Sequence, residues 1–155
     1  MSKYIGILNI ALLVSAAGVQ AEQMAVAIDG KSVTINYSAP TARNRAAASF
    51  HTDADLAFKG VNVPKGDYTL YILADGPQWQ LAVNKATGGK AATYDAKLDL
   101  GRVPMTMSKP TAATDACKMV LTKSAALAAK LEVLWNNAAA AVSFHLDRGG
   151  SDSEW

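Results

Sequence analysis

From Val33 to Leu146 the apolar residues recur at every second position, in short runs. Val33, Ile35 and Tyr37 alternate with Thr34 and Asn36. Trp79, Leu81 and Val83 alternate with Gln80, Ala82 and Asn84. Successive side chains of a strand point to opposite faces, so a period of two predicts strands with one face in a core. Tyr68, Leu70 and Ile72 alternate with Thr69, Tyr71 and Leu73, which makes both faces apolar and predicts a central strand. Ser49 to Thr52, Lys118 to Lys123 and Lys130 to Trp135 predict further strands. A last strand, Ala140 to Leu146, places Val142, Phe144 and Leu146 on one face and His145 on the other. Val103, Met105 and Met107 continue the pattern, but Pro104 has no amide donor and predicts an edge strand.

Turn residues separate these runs. The stretch Val61 to Lys85 reads as two strands joined by a tight Asp75-Gly76-Pro77 turn and entered through Pro64-Lys65-Gly66. Asn136-Asn137 predicts another turn. Many short strands punctuated this way predict an all-β domain, a mostly antiparallel β-sandwich. Ser124 to Leu131 (SAALAAKL) has helical propensity and adds one short helix to the expectation. Thr87 to Asp99 reads as a loop of small residues.

The chain opens with Lys3 and an apolar run from Ile5 to Ala17, followed by Val19-Gln20-Ala21. This is the layout of a signal peptide spanning residues 1–21, cleaved before Glu22. The apolar run is shorter than the roughly 20 residues of a spanning helix. The expected organisation is therefore a leader, a β-sandwich over 22–147, and a polar, disordered tail over 148–155. The expected location is periplasmic or secreted, with no integral membrane segment after leader removal. The formal net charge is only +2. Lys85, Lys90, Lys97 and Arg102 are interspersed with Asp95 and Asp99, which argues against nucleic acid as a partner. The single cysteine, Cys117, excludes an intramolecular disulfide and reads as a small buried residue.

Several motifs together resemble an exported bacterial family, domain-of-unknown-function family 2911. They are Tyr37-Ser-Ala-Pro40, His51-Thr-Asp-Ala-Asp-Leu56, Val63-Pro-Lys-Gly-Asp-Tyr-Thr-Leu70, Trp79 and Asn84-Lys-Ala-Thr-Gly88. Tyr94-Asp95, Asp99, Arg102 and Trp135 fit its later pattern. The resemblance implies a fold and an exported setting, and no reaction. The chain departs from the family twice. Members usually carry a longer segment, with a Trp-Arg-Thr-Gly-Ala-Asn-like run, where Thr41 to Ser49 stands here. Members also often have Gln-Trp-Gly where Gly89-Lys90-Ala91 stands. A family site built from those segments would be lost in this chain.

Candidate chemistry is sparse. His51, Asp53 and Asp55 share a face if the strand continues past Thr52, and would then suit a divalent cation. The same residues suit a turn, which is the preferred reading. No Gly-x-Ser-x-Gly elbow, phosphate loop, Cys-x-x-Cys or His-Glu-x-x-His motif occurs. No cofactor is implied. Trp79 and Trp135 fall in register with aliphatic neighbours and read as core. Tyr71, opposite Tyr68, reads as the better surface aromatic, and Arg43 and Arg45 as candidates for an anionic ligand. The reading is a non-enzymatic module that binds a small molecule, glycan or envelope protein, with Arg43, Arg45, His51, Tyr71 and Asn84 as contacts. The alternative is a periplasmic hydrolase or metal-dependent enzyme built on His51, Asp53 and Asp55.

Overall fold

The computed structural model describes residues 22–38, 40, 44–88, 93–110 and 116–147. They form two antiparallel sheets packed face to face, the β-sandwich that the alternation predicts. The strands are β1 (Glu22–Ile28), β2 (Lys31–Tyr37), β3 (Arg45–Thr52), β4 (Leu56–Phe58), β5 (Val61–Val63), β6 (Gly66–Leu73), β7 (Gln80–Asn84), β8 (Asp99–Pro104), β9 (Thr106–Ser108), β10 (Lys118–Ala125), β11 (Ala128–Trp135) and β12 (Ala138–Leu146). One sheet has the order β1-β2-β3-β6-β7-β8. The other has the order β10-β11-β12-β4-β5, with β9 also pairing to β12. β6 is interior to the first sheet and β8 is its edge, as the sequence predicts. The run Val103–Met107 is not one strand, however: Pro104 ends β8, and Thr106–Ser108 crosses to pair with β12 in the second sheet. No helix among the described residues is long and apolar enough to cross a membrane.

The core is the meeting of the two inner faces. Phe50 from the first sheet meets Phe58 and Phe144 from the second edge-on, with ring centroids 6.4 and 6.3 Å away. Phe58 and Phe144 stack at 4.8 Å. At another point Trp79 meets Trp135 edge-on at 5.9 Å. Both indoles are buried, at 5% and 4% exposure, which places them in the core as their register predicts. Val142 and Phe144 are buried on the inner face of β12, with Leu146 half-buried beyond them.

Three further segments differ from expectation. Ser124 to Leu131 is no helix: it is the end of β10, a turn at Ala126-Leu127, and the start of β11. Pairing of Lys118–Ala125 with Ala128–Leu134, and burial of Ala129 and Leu131, outweigh the alanine propensity. The Asp75-Gly76-Pro77 turn is wider than expected, because Leu73 pairs with Gln80 and leaves residues 74–79 as loop. Finally, Val61–Val63, read only as the approach to the Pro64-Lys65-Gly66 turn, is a strand of the second sheet.

That last difference explains the Val63-Pro-Lys-Gly-Asp-Tyr motif. The chain must cross from one sheet to the other between Val63 and Gly66. Pro64 lies at the corner, and Gly66 takes φ +146°, which disfavours any residue with a Cβ. The Tyr68 hydroxyl donates to the Pro64 carbonyl at 2.6 Å, and the Lys65 amide donates to the Asp55 carboxylate at 2.9 Å. This is the logic of a tyrosine corner, in which a phenol fixes the backbone upstream of its own strand.

Candidate functional site

The outer face of the first sheet carries the polar half of the alternation. On β2 it presents Thr34 and Asn36, on β3 Ser49 and His51, and on β6 Asp67 and Thr69. Register places them in two rungs. Thr34 is opposite His51, which is opposite Asp67. Asn36 is opposite Ser49, which is opposite Thr69. Together with Tyr68, Phe50 and the Thr87-Gly88 segment they line an open groove of about 350 Å³.

The next rung has a different fate. Tyr71 and Ala82 lie on the same outer face, yet both are buried. The segment after β7 turns back over them and lays the Tyr94 ring on Tyr71, centroids 4.7 Å apart. Arg45 and Arg102 approach the Tyr94 ring at 4.9 and 5.9 Å, close enough for cation–π attraction. The Tyr94 hydroxyl donates to Asp99 at 2.5 Å and accepts from Arg102 at 2.8 Å. Burial, with the Asp99 bond adding to it, pushes the Tyr94 phenol above its ordinary value. The bond to Asp99 raises the Arg102 guanidinium too.

Asn84 holds this returning segment in place. It is fully buried. Its amide nitrogen donates to the Asp99 carboxylate at 2.8 Å and to the Asp95 carbonyl at 3.0 Å. Its oxygen accepts the Ala86 amide at 2.9 Å, and Thr69 donates to the Ala86 carbonyl at 2.7 Å. The Asn84-Lys-Ala-Thr-Gly88 motif thus builds the wall of the groove: Asn84 is its anchor, and Thr87 and Gly88 are its lining. Gly88 takes φ +62° there.

At one end of the groove His51 is clamped between two carboxylates. Nδ1 lies 2.7 Å from Asp67 and Nε2 lies 2.8 Å from Asp53. A neutral imidazole has one N–H, so donating to both carboxylates at once requires the imidazolium. The bonds to Asp53 and then Asp67 raise the His51 value above the usual 6.5, and the His51 bond holds the Asp53 carboxyl below its usual 3.8. Asp55 does not join them. β3 ends at Thr52, whose buried hydroxyl donates to the Ala54 carbonyl at 2.7 Å and accepts the Ala54 amide at 3.1 Å. That turn sends Asp55 to the Lys65 amide. The imidazole also keeps the Asp53 and Asp67 carboxylates on opposite edges of its ring. Among the described residues no group of three or more His, Cys, Asp or Glu side chains is placed to hold a metal ion.

Of the residues singled out in the sequence, His51 lies in the groove. Arg45 and Tyr71 lie at the Tyr94 cluster beside it, with Tyr71 covered rather than exposed. Asn84 lies beneath the wall with its polar atoms committed to the fold. Arg43 falls outside the described residues. Sequence reasoning missed Asn36, Ser49, Asp67 and Thr87. Asn36 and Ser49 had no signal beyond the polar half of an alternation, whereas Asp67 and Thr87 stand inside the Val63–Leu70 and Asn84–Gly88 motifs. Bringing them together requires the order β2-β3-β6, in which β6 joins β3 across two strands of the other sheet.

The fold and the groove define an all-β sandwich domain with one walled polar face. A family model matches residues 45–144, so the chain belongs to the family described as "Protein of unknown function (DUF2911)". No curated protein and no solved structure matches the chain.

Proposed function

We propose that this chain is an exported, non-enzymatic binding domain whose ligand lies in the groove over β2, β3 and β6. The observation that carries the reading is the contrast between neighbouring rungs of one sheet face. Tyr94 covers Tyr71 and Ala82, while the rungs of Asn36, Ser49, His51 and Asp67 stay open beside a buttressed wall. A polar outer face is ordinary in an antiparallel sheet. A loop anchored by a buried asparagine that turns this face into a groove is a feature of a site.

The enzyme alternative draws less support. Each ring nitrogen of His51 faces a carboxylate, so neither is open to take a proton from a substrate hydroxyl. Asp55 caps a turn instead of facing the groove.

Export rests on the Lys3 and Ile5–Ala17 leader pattern. Expressed in a bacterial host, the soluble periplasmic chain should begin at Glu22 by mass spectrometry, and an intact Met1 in that fraction sinks the export claim. For the site, the 15N-labelled domain is mixed with the small-molecule fraction of an envelope extract. Amide shifts should cluster at Asn36, Ser49, His51, Asp67 and Thr87 and disappear in Ser49→Trp, which fills the groove. A bound component whose shifts map to another surface overturns the assignment.

A further inference from the structure

We infer that the groove takes a neutral saccharide, a monosaccharide or disaccharide unit bound through its hydroxyls. This rests on the reading of the groove as the ligand site. Three observations carry the choice of ligand class.

The first is hydrogen-bonding vocabulary. Asn36, Ser49 and Thr87 are exposed in the groove, with Thr34 half-buried beside them. Hydroxyl and carboxamide groups each offer donors and acceptors and reorient at little cost. Sugar hydroxyls are also both donor and acceptor. A surface of this kind meets them on any side without leaving a polar group unmatched.

The second is charge. The ionisable side chains lining the groove are His51 and Asp67, already paired with each other at 2.7 Å. Asp53 occupies the other edge of His51 at 2.8 Å. An imidazolium between two carboxylates carries no positive excess, so a phosphate or carboxylate ligand finds no counter-charge. A compact cation finds the carboxylates turned to opposite sides of the ring. A neutral ligand meets no such penalty, and the outward oxygens of Asp67 accept from hydroxyls as charge-assisted bonds.

The third is shape. The volume of about 350 Å³ is at the small end of ligand sites, which run from roughly 300 to 1,000 Å³. Side chains repeat at roughly 4.8 Å across the strands and about 6.7 Å along them. That grid suits a rigid ring with hydroxyls around its edge. Phe50 and Tyr68 floor the groove with backbone, since their rings lie on the inner face of the sheet, and this leaves a shallow polar bed.

The test is NMR titration of the 15N-labelled 22–155 chain with glucose, galactose, mannose, N-acetylglucosamine and their β-linked disaccharides. Glucose-6-phosphate, spermidine and a neutral tripeptide are run in parallel. At least one neutral sugar should saturate shifts at Asn36, Ser49, His51 and Thr87. Asn36→Ala and Ser49→Val should each weaken it about three- to tenfold, the loss of one neutral hydrogen bond. Both positions are exposed, and an unchanged melting temperature verifies that the variants fold. Saturable groove shifts from the phosphate, the polyamine or the peptide with none from a neutral sugar overturn the saccharide assignment and leave the site standing. Sugar shifts that map away from the groove overturn both. The absence of shifts from every sugar overturns the saccharide assignment.

Discussion

Gly101 of β8 packs against Val61 of β5 so closely that a Cβ on Gly101 would lie 2.6 Å from Val61 Cγ2. β8 is the outer strand of one sheet and β5 the outer strand of the other. Their approach closes one side of the sandwich, and β1 against β10 closes the other. An exposed sheet edge invites pairing with another chain, and closing the edges on each other removes that hazard.

Gly101→Ala is therefore expected to destabilise by about 1–3 kcal/mol, the usual cost of forcing volume into a packed contact. Val61 is short and branched, and gives way poorly. Urea unfolding of Gly101→Ala alone and with Val61→Ala measures it. The second substitution should recover part of the loss if the clash is its cause.

Trp79→Ala and Trp135→Ala should each cost about 3–5 kcal/mol. The rings pack on each other, so the double variant should lose less than the sum of the two. Thermal melts of the four proteins decide it. Melting temperatures within a degree or two of the parent contradict the buried pair.

Asn84→Ala should loosen the groove wall. It strips a buried partner from the Ala86 amide and from Asp99, at a cost of about 1–3 kcal/mol. Hydrogen exchange should quicken at Ala86 and Thr87 while β11 and β12 stay protected. Uniform protection across both regions argues against the anchor.

The His51 clamp predicts a pH dependence of fixed sign. The folded value lies above the unfolded one, so the stability from the clamp is fully present below about pH 6.5. It is lost as pH rises through the raised folded value. Asp53 acts in the opposite direction: its share is present above its unfolded value and is lost as pH falls through the lowered folded one. NMR titration of the His51 ring should show a midpoint above 6.5 that falls in both Asp53→Asn and Asp67→Asn. A midpoint unmoved by either variant contradicts the clamp. Because all three groups are exposed, solvent screening keeps the effect on the melting temperature small.

Cys117 should label slowly in the native protein and quickly in denaturant. Burial pushes its thiol up to about 11, which leaves little thiolate near neutral pH. Fast native labelling at pH 8 would contradict this.

The alternation at Val33–Tyr37 or Trp79–Val83 is legible because large and polar residues take strict turns. β1 was not legible. Met24, Val26 and Ile28 alternate there with Ala25 and Ala27, and alanine gives too little contrast. The helix expected at Ser124–Leu131 failed for a related reason: alanine is a helix former, and only its partner strands make it β. Tyr71 was read as exposed because nothing in β6 announces Tyr94. A residue beyond the next strand buries it. The groove was hidden by topology, since Ser49 and Thr69 become neighbours only when β6 returns to pair with β3.

The placement of β12 sets the order in which the molecule can be completed. Its Ala139–Ala141 half pairs with β9, its Phe144–Leu146 half with β4, and its other edge with β11. Segments made early and in the middle of synthesis thus wait for the last strand before they have a sheet to join. A break after Pro104 keeps all six strands of the first sheet on one piece but divides the second, since β4 and β5 are spliced among the strands of the first. The first sheet has all its strands by Pro104, whereas a chain halted before residue 138 leaves β4, β9 and β11 without the strand that joins them.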